Sequence, residues 1–354
     1  MSTRGPGESV RVDAPREQYW VALRNGDRAS ALDAVKRMHE DGRTHLEIID
    51  EVLVPAQERV AGLWLAGEWS AEQQRLATSI NEGLVHWLCS FSPPPPSDRP
   101  LVVVATVERE ELPALVLAEA LGAAGYRTTV AGGDAAAEDL LRQVLTRKPR
   151  ALLVSVARAS SLARLKPLLG HVRATGIPVV AGGAAFGGDP QRATAVGAAA
   201  YAASVGDVLA LLEQLPRRLP PATPEPPSPA DLEAAWLNDF RHEITPYVLR
   251  ALAARHPAPR RARWWAELED LVDHVLGCLA ASLVTGDETI MVEARDWLTR
   301  VLEARGAGAD LVAEVWELLA VPLRGHPLAR VHLAGSAAPG GATDGGQTDG
   351  LTTV

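Results

Sequence analysis

The chain has 354 residues, 47% hydrophobic and 22% charged, an ordinary globular composition long enough for two or three hydrophobic cores. A formal net charge of −9 excludes a surface built for nucleic acid, which needs clustered Lys and Arg. No apolar stretch approaches the roughly 20 residues that span a bilayer, and the opening MSTRGPGESV has no apolar signal core, so the expectation is a cytoplasmic chain without a membrane partner.

In chain order, residues 1–16 are expected to be disordered and residues 17–92 to be helical. Leu32, Val35 and Met38, then Ile48, Ile49, Val52 and Leu53, then Leu76, Ile80, Leu84 and Trp87 recur at helical spacing. Asn25-Gly26-Asp27, Asp41-Gly42 and Ala66-Gly67 cut this pattern at short turns, which predicts a four-helix bundle. The proline run from Ser92 to Pro100 reads as a stiff linker.

Residues 98–216 alternate strand and helix. Continuous apolar runs such as LVVVAT from Leu101 and ALLVSV from Ala151 are strands covered on both faces. Five such strands and five intervening helices predict an open parallel α/β sheet, with any ligand beyond the carboxyl ends of its strands. A second proline-rich linker, residues 217–230, reads as unable to pack. Residues 231–333 carry only helical spacing and predict a separate all-α domain, and the Gly-rich residues 334–354 predict a disordered tail. Cys89 and Cys278 lie far apart, without metal-ligand spacing, and read as buried thiols.

The order of bundle, short linker and five-stranded domain resembles the cobalamin-binding modules of corrinoid methyltransferases and B12-dependent light-sensing regulators, whose sheet domain is flavodoxin-like. The resemblance covers residues 17 to 216. It rests first on Trp64 and Gly67, followed by Leu76-Ala77-Thr78. It implies that the bundle caps the upper face of a corrin with Trp64 beside the upper ligand. The Glu-His pair of that cap is replaced here by Gln74 and Arg75. In the family an Asp(Glu)-x-His-x-x-Gly loop follows the first strand, and its His is the lower ligand of cobalt. Here the acid is Glu108, Glu110 stands at the His position and Pro113 at the Gly position. By the same resemblance Ser155 and the pair Gly182-Gly183 border the nucleotide tail, and Tyr201 matches a further landmark in part.

Each residue also has a plain structural reading. Trp64 and Trp69 can be bundle core, Ser155 a strand-end cap, and Gly182-Gly183 a tight turn. A carboxylate is a poor substitute for imidazole on cobalt, so no metal ligand is assigned. Glu108, Glu110 and Glu111 lack a nucleophile, base or metal partner for acid–base work. The nine histidines form no spaced metal pair. His242 and Tyr247, or the run Arg260-Arg261-Ala262-Arg263-Trp264-Trp265, could meet a bilin in the C-terminal domain. The expectation is therefore a non-enzymatic sensory protein holding adenosylcobalamin between bundle and sheet and acting through protein partners or self-association. Two alternatives stand: a corrinoid carrier for a methyltransferase, and a cofactor-free interaction module on the same fold.

Overall fold

The computed structural model describes residues 9–92, 95–132, 137–188, 190–223, 226–256, 262–308 and 310–336. Four helical rods come first: α1 (Ser9–Arg24), α2 (Arg28–Glu40), a third made of α3 (His45–Ile48) and α4 (Val54–Leu65), and α5 (Ala71–Cys89). Side chains explain where they start. Asp27, Thr44 and Ser70 each accept a hydrogen bond from a backbone N–H of the first turn. Glu47 and Gln73 return the bond, completing a capping box on Thr44 and on Ser70. A π-turn, Ile49–Leu53, joins α3 to α4 without a break. Pro55, with no N–H to give, stands two residues past its end, and the Val54 N–H reaches back to the Ile49 carbonyl.

The rods bury Tyr19, Leu23, Val35, Ile48, Leu53, Val60 and Leu88 against one another. A polar chain crosses this core. Tyr19 donates to Asn81, Asn81 to Gln57, and Gln57 to Thr78, so each buried group is satisfied. Trp69 is core, stacked on Trp20 with ring centroids 6.0 Å apart. Helix α1 begins at Ser9, earlier than residue 17, because Pro15 is accommodated inside it. Residues 1–8 and 337–354 lie outside the described residues, as therefore do most of the two expected disordered ends.

The sheet holds β1 (Leu101–Ala105), β2 (Arg127–Ala131), β3 (Ala151–Ser155), β4 (Val179–Gly182) and β5 (Ala200–Ala202). All pairs are parallel, in the order β2-β1-β3-β4-β5. Connecting helices are α6 (Leu112–Ala123), α7 (Ala137–Arg147), α8 (Leu162–Arg173), α9 (Pro190–Ala195) and α10 (Val205–Gln214). Strand alternation divides the apolar residues between faces. Val102, Val104, Leu153, Val180 and Ala202 pack under α6 and α10. Val103, Leu152, Val154, Val179 and Ala181 face the other way.

The C-terminal helices are α11 (Pro229–Arg255), α12 (Leu268–Thr285), α13 (Thr289–Ala304), α14 (Asp310–Ala320) and α15 (Pro327–Gly335). They are not the separate body read from the sequence, because their core is continuous with the second face of the sheet. Helix α12 is apolar around most of its circumference and packs on α8 and on the short turn Ala159–Ser161 after β3. Gly277 permits this approach: a Cβ there would lie 2.7 Å from the Ser160 Cβ. The proline-rich linker also packs. Leu219 and Ala222 donate their N–H groups to the Gly176 and Arg173 carbonyls, and Arg218 reaches the carbonyls of Lys148 and Pro149. A proline-rich segment has few N–H groups, and these two are directed at the last carbonyl of α8 and at that of Gly176 in the turn after it.

Candidate cofactor site

At the carboxyl edge of β3, β4 and β5 lies a cavity of about 220 Å³. Ser155, Gly182, Gly183 and Ser204 line it with Leu117, Val180 and Val208, and Val54 and Pro113 reach its rim. Ser155 and both glycines, read from the sequence as bordering a nucleotide tail, line this one cavity. Their glycine character has a local cause. A Cβ on Gly182 would lie 2.6 Å from the Ala202 carbonyl oxygen, and one on Gly183 2.4 Å from that of Val156. Gly183 also has φ 104°, where other residues are strained. Tyr201 is not in the cleft. Its strand neighbour Ala202 faces it, while the Tyr201 ring turns towards Phe186 and its hydroxyl donates to the Gly187 carbonyl.

The loop after β1 is held by charges. Glu108 is buried, and its carboxylate accepts from the N–H groups of Ala157 and Arg158 at 2.8 Å each and from the Ser161 hydroxyl at 3.1 Å. Glu110, at the place of the expected axial ligand, is paired with Arg158 at 2.8 Å. Glu82 of α5 accepts from the N–H groups of Glu111 and Leu112, capping α6 from the bundle. Burial raises the Glu82 carboxyl above the usual carboxylate range, against the effect of those two donors.

Trp64 is engaged by the C-terminal helices. Its indole N–H donates to Glu267 at 3.0 Å, Trp297 packs beside it at 6.1 Å, and the Arg305 guanidinium lies 4.9 Å from its ring centroid. Arg305 donates to Glu267 at 2.8 Å and to the Trp64 carbonyl at 3.1 Å. Next to Trp297, His274 lies 4.5 Å away, with the Cys278 sulfur 3.4 Å from its Nε2. Burial, helped by Arg158, holds the His274 imidazole neutral, with a pKa lowered to about 4. Gln74 stays half-buried on α5, where its carbonyl accepts from Thr78; of the Leu-Ala-Thr run, Leu76 is exposed and the other two are buried.

Arg158, Glu82, Glu267, Arg305 and His274 were not singled out from the sequence. Arg158 had a faint signal, an arginine just past a strand end. Glu267 and Arg305 had none, since they meet a tryptophan some two hundred residues away. His242 is exposed beside Glu243, and Tyr247 packs half-buried on the core. Arg260 and Arg261 lie outside the described residues. Cys89 and Cys278 are free thiols, both pushed up to about 12 chiefly by burial.

Residues 15–88 and 99–211 match two family models, each described as a B12 binding domain, and together they span more than half of the chain. The chain belongs to the cobalamin-binding-domain family. No curated protein matches it. Solved structures with similarity include the monomethylamine corrinoid protein of Methanosarcina barkeri, at 18% identity and TM-score 0.48, covering 56% of this chain and 96% of that one. The methanol:cobalamin methyltransferase complex of the same organism gives 19%, 0.31, 61% and 87%. A cobalamin-binding protein from Desulfitobacterium hafniense DCB-2 gives 16%, 0.30, 56% and 97%.

The fit to a corrinoid is divided. The cleft has room and apolar lining for part of a nucleotide tail, with Ser155 and Ser204 among its lining residues. The β1 loop offers the metal no imidazole, and its carboxylate is committed to Arg158. Among the described residues no group of three or more His, Cys, Asp or Glu could hold a metal ion. No described helix is long and apolar enough to cross a membrane.

Proposed function

We propose that this protein is a regulatory corrinoid-binding protein rather than a methyl carrier, with the C-terminal helices as its responding element. The observation behind this reading is the cover over Trp64. A carrier must present the reacting face of its cofactor to a partner enzyme. Here the tryptophan marking that face in the family is bonded to Glu267 and flanked by Trp297 and Arg305 of the same chain. Ser155, Gly182 and Gly183 would receive the nucleotide tail, and the chain would leave the lower face of the metal without a ligand from the β1 loop. A bound corrinoid supplies visible absorbance and an exchangeable upper ligand. Light or ligand exchange is the input we propose, and a change in how the chain associates with itself or with a protein partner is the output.

Purified protein is incubated in the dark with adenosylcobalamin, desalted, and its spectrum and sedimentation are recorded before and after green light. Retained corrin bands with a light-dependent change in sedimentation support the reading. Retained bands with methyl transfer to an added thiol acceptor would assign the carrier role instead. A colourless protein would leave the interaction module. Biliverdin in a parallel sample tests the C-terminal helices, where a retained red band is the outcome expected of a bilin site.

A further inference from the structure

The C-terminal helices join the other two parts of the molecule by different chemistry. Against the sheet the joint is an apolar core shared by α8 and α12, with Arg192 tied to Asp287 and Glu293 at 2.7 Å each. Against the bundle the joint is small and mostly polar, its apolar part being Trp297 beside Trp64 and Leu65 on the same core. The indole N–H of Trp64 and the guanidinium of Arg305 share one oxygen of Glu267, at 3.0 and 2.8 Å. Arg263 donates to the Gly67 carbonyl at 2.6 Å, and Arg305 to that of Trp64 at 3.1 Å. The fit is close. Gly67 has φ 69°, and a Cβ on it would meet the Ala304 carbonyl oxygen at 2.6 Å. Apolar joints of this kind persist, whereas small polar ones open and close.

We infer that the bundle joint is a releasable latch, closed on Glu267, that covers the Trp64 face of the bundle and withholds it from any ligand entering between bundle and sheet. Glu267 is its positioning residue. The Arg305 side chain is only 3% exposed and pairs with no other carboxylate among the described residues, so loss of the Glu267 charge leaves it buried without a counter-charge. The indole is left with a neutral acceptor in the same step. A ligand that needs the Trp64 face must therefore bind the open form, and its apparent affinity is reduced by the fraction of molecules open. This regulation rests on the corrinoid reading above, although the latch itself does not.

The test uses the full chain and two variants, Glu267→Gln and Trp64→Phe. The first removes the charge and keeps an acceptor. The second removes the indole donor and keeps a ring, and it carries the test alone if the first fails to fold. Amide hydrogen exchange is followed at residues 63–69 and 263–268, with residues 159–163 as the internal reference for the sheet joint. We expect exchange at 63–69 to rise about tenfold in both variants, with the reference unchanged. Uptake of hydroxocobalamin, read by absorbance, should be faster in both by a similar factor. Unchanged protection at 63–69, or equal loss at the reference, overturns the latch. Raised exchange with unaltered cobalamin uptake overturns its withholding role. Failure of every form to take up cobalamin removes the functional proposal and leaves the exchange result to decide the latch.

Discussion

The Glu108 carboxylate sits where an acid was read from the β1 loop, and the chain's own groups surround it. It satisfies two N–H groups of the β3 loop and the Ser161 hydroxyl, with Arg158 spread over its edge at 3.5 Å. Glu108→Ala would strand those buried donors at a cost of about 3 kcal/mol, read as a lower urea midpoint with an unchanged slope. Glu108→Gln, which keeps one acceptor oxygen, is expected to lose about half as much. Ser155→Trp tests the cleft instead. The cavity can admit part of an indole, so circular dichroism should stay native while cobalamin retention falls after desalting. Retention equal to the parent chain would remove Ser155 from the tail site.

Close packing at particular glycines positions the helices, and this is testable at that scale. Gly277→Ala would bring a Cβ to 2.7 Å from the Ser160 Cβ and 3.0 Å from its carbonyl oxygen, so α12 must lift from the sheet. A loss of about 1–3 kcal/mol is expected, seen in thermal unfolding. Gly83→Ala, on α5 with nothing within 4 Å, should instead stabilise by about 0.5–1 kcal/mol through helix propensity and backbone entropy. The bundle and the sheet were legible in the sequence because their signals are local: capped amphipathic runs and apolar strands between turns. Ser155, Gly182 and Gly183 were legible for the same reason, since strand ends place them together. Tyr201 was misplaced because one residue along a strand reverses the face. The union of α12 with the sheet was invisible. An all-round apolar helix announces burial without saying against what, and the glycine that fits it to Ser160 looks like any other.

For the whole molecule, acidity is a lever. His274 is neutral in the folded state, with a pKa lowered to about 4 against 6.5 when unfolded. The unfolded chain therefore binds this proton first as pH falls. The contribution of His274 is full above about pH 6.5, declines between 6.5 and 4, and is spent below that. Urea midpoints measured at pH 7.5 and pH 5 should fall more for the parent chain than for His274→Gln, and equal falls would assign the sensitivity to other groups. The π-turn at Ile49–Leu53 has a consequence of another kind. Its five residues advance about as far around the rod axis as four residues of α-helix at about 100° each, so it takes up one surplus residue without turning what lies beyond it. Removing a single residue between 49 and 53 is expected to close that turn into plain α-helix and to leave the caps, and the heading of Trp64 towards Glu267, as they are, read as unchanged exchange protection at residues 63–69. The turn works as a slack link in a chain, where the surplus is taken in before the rod reaches the tryptophan that Glu267 holds.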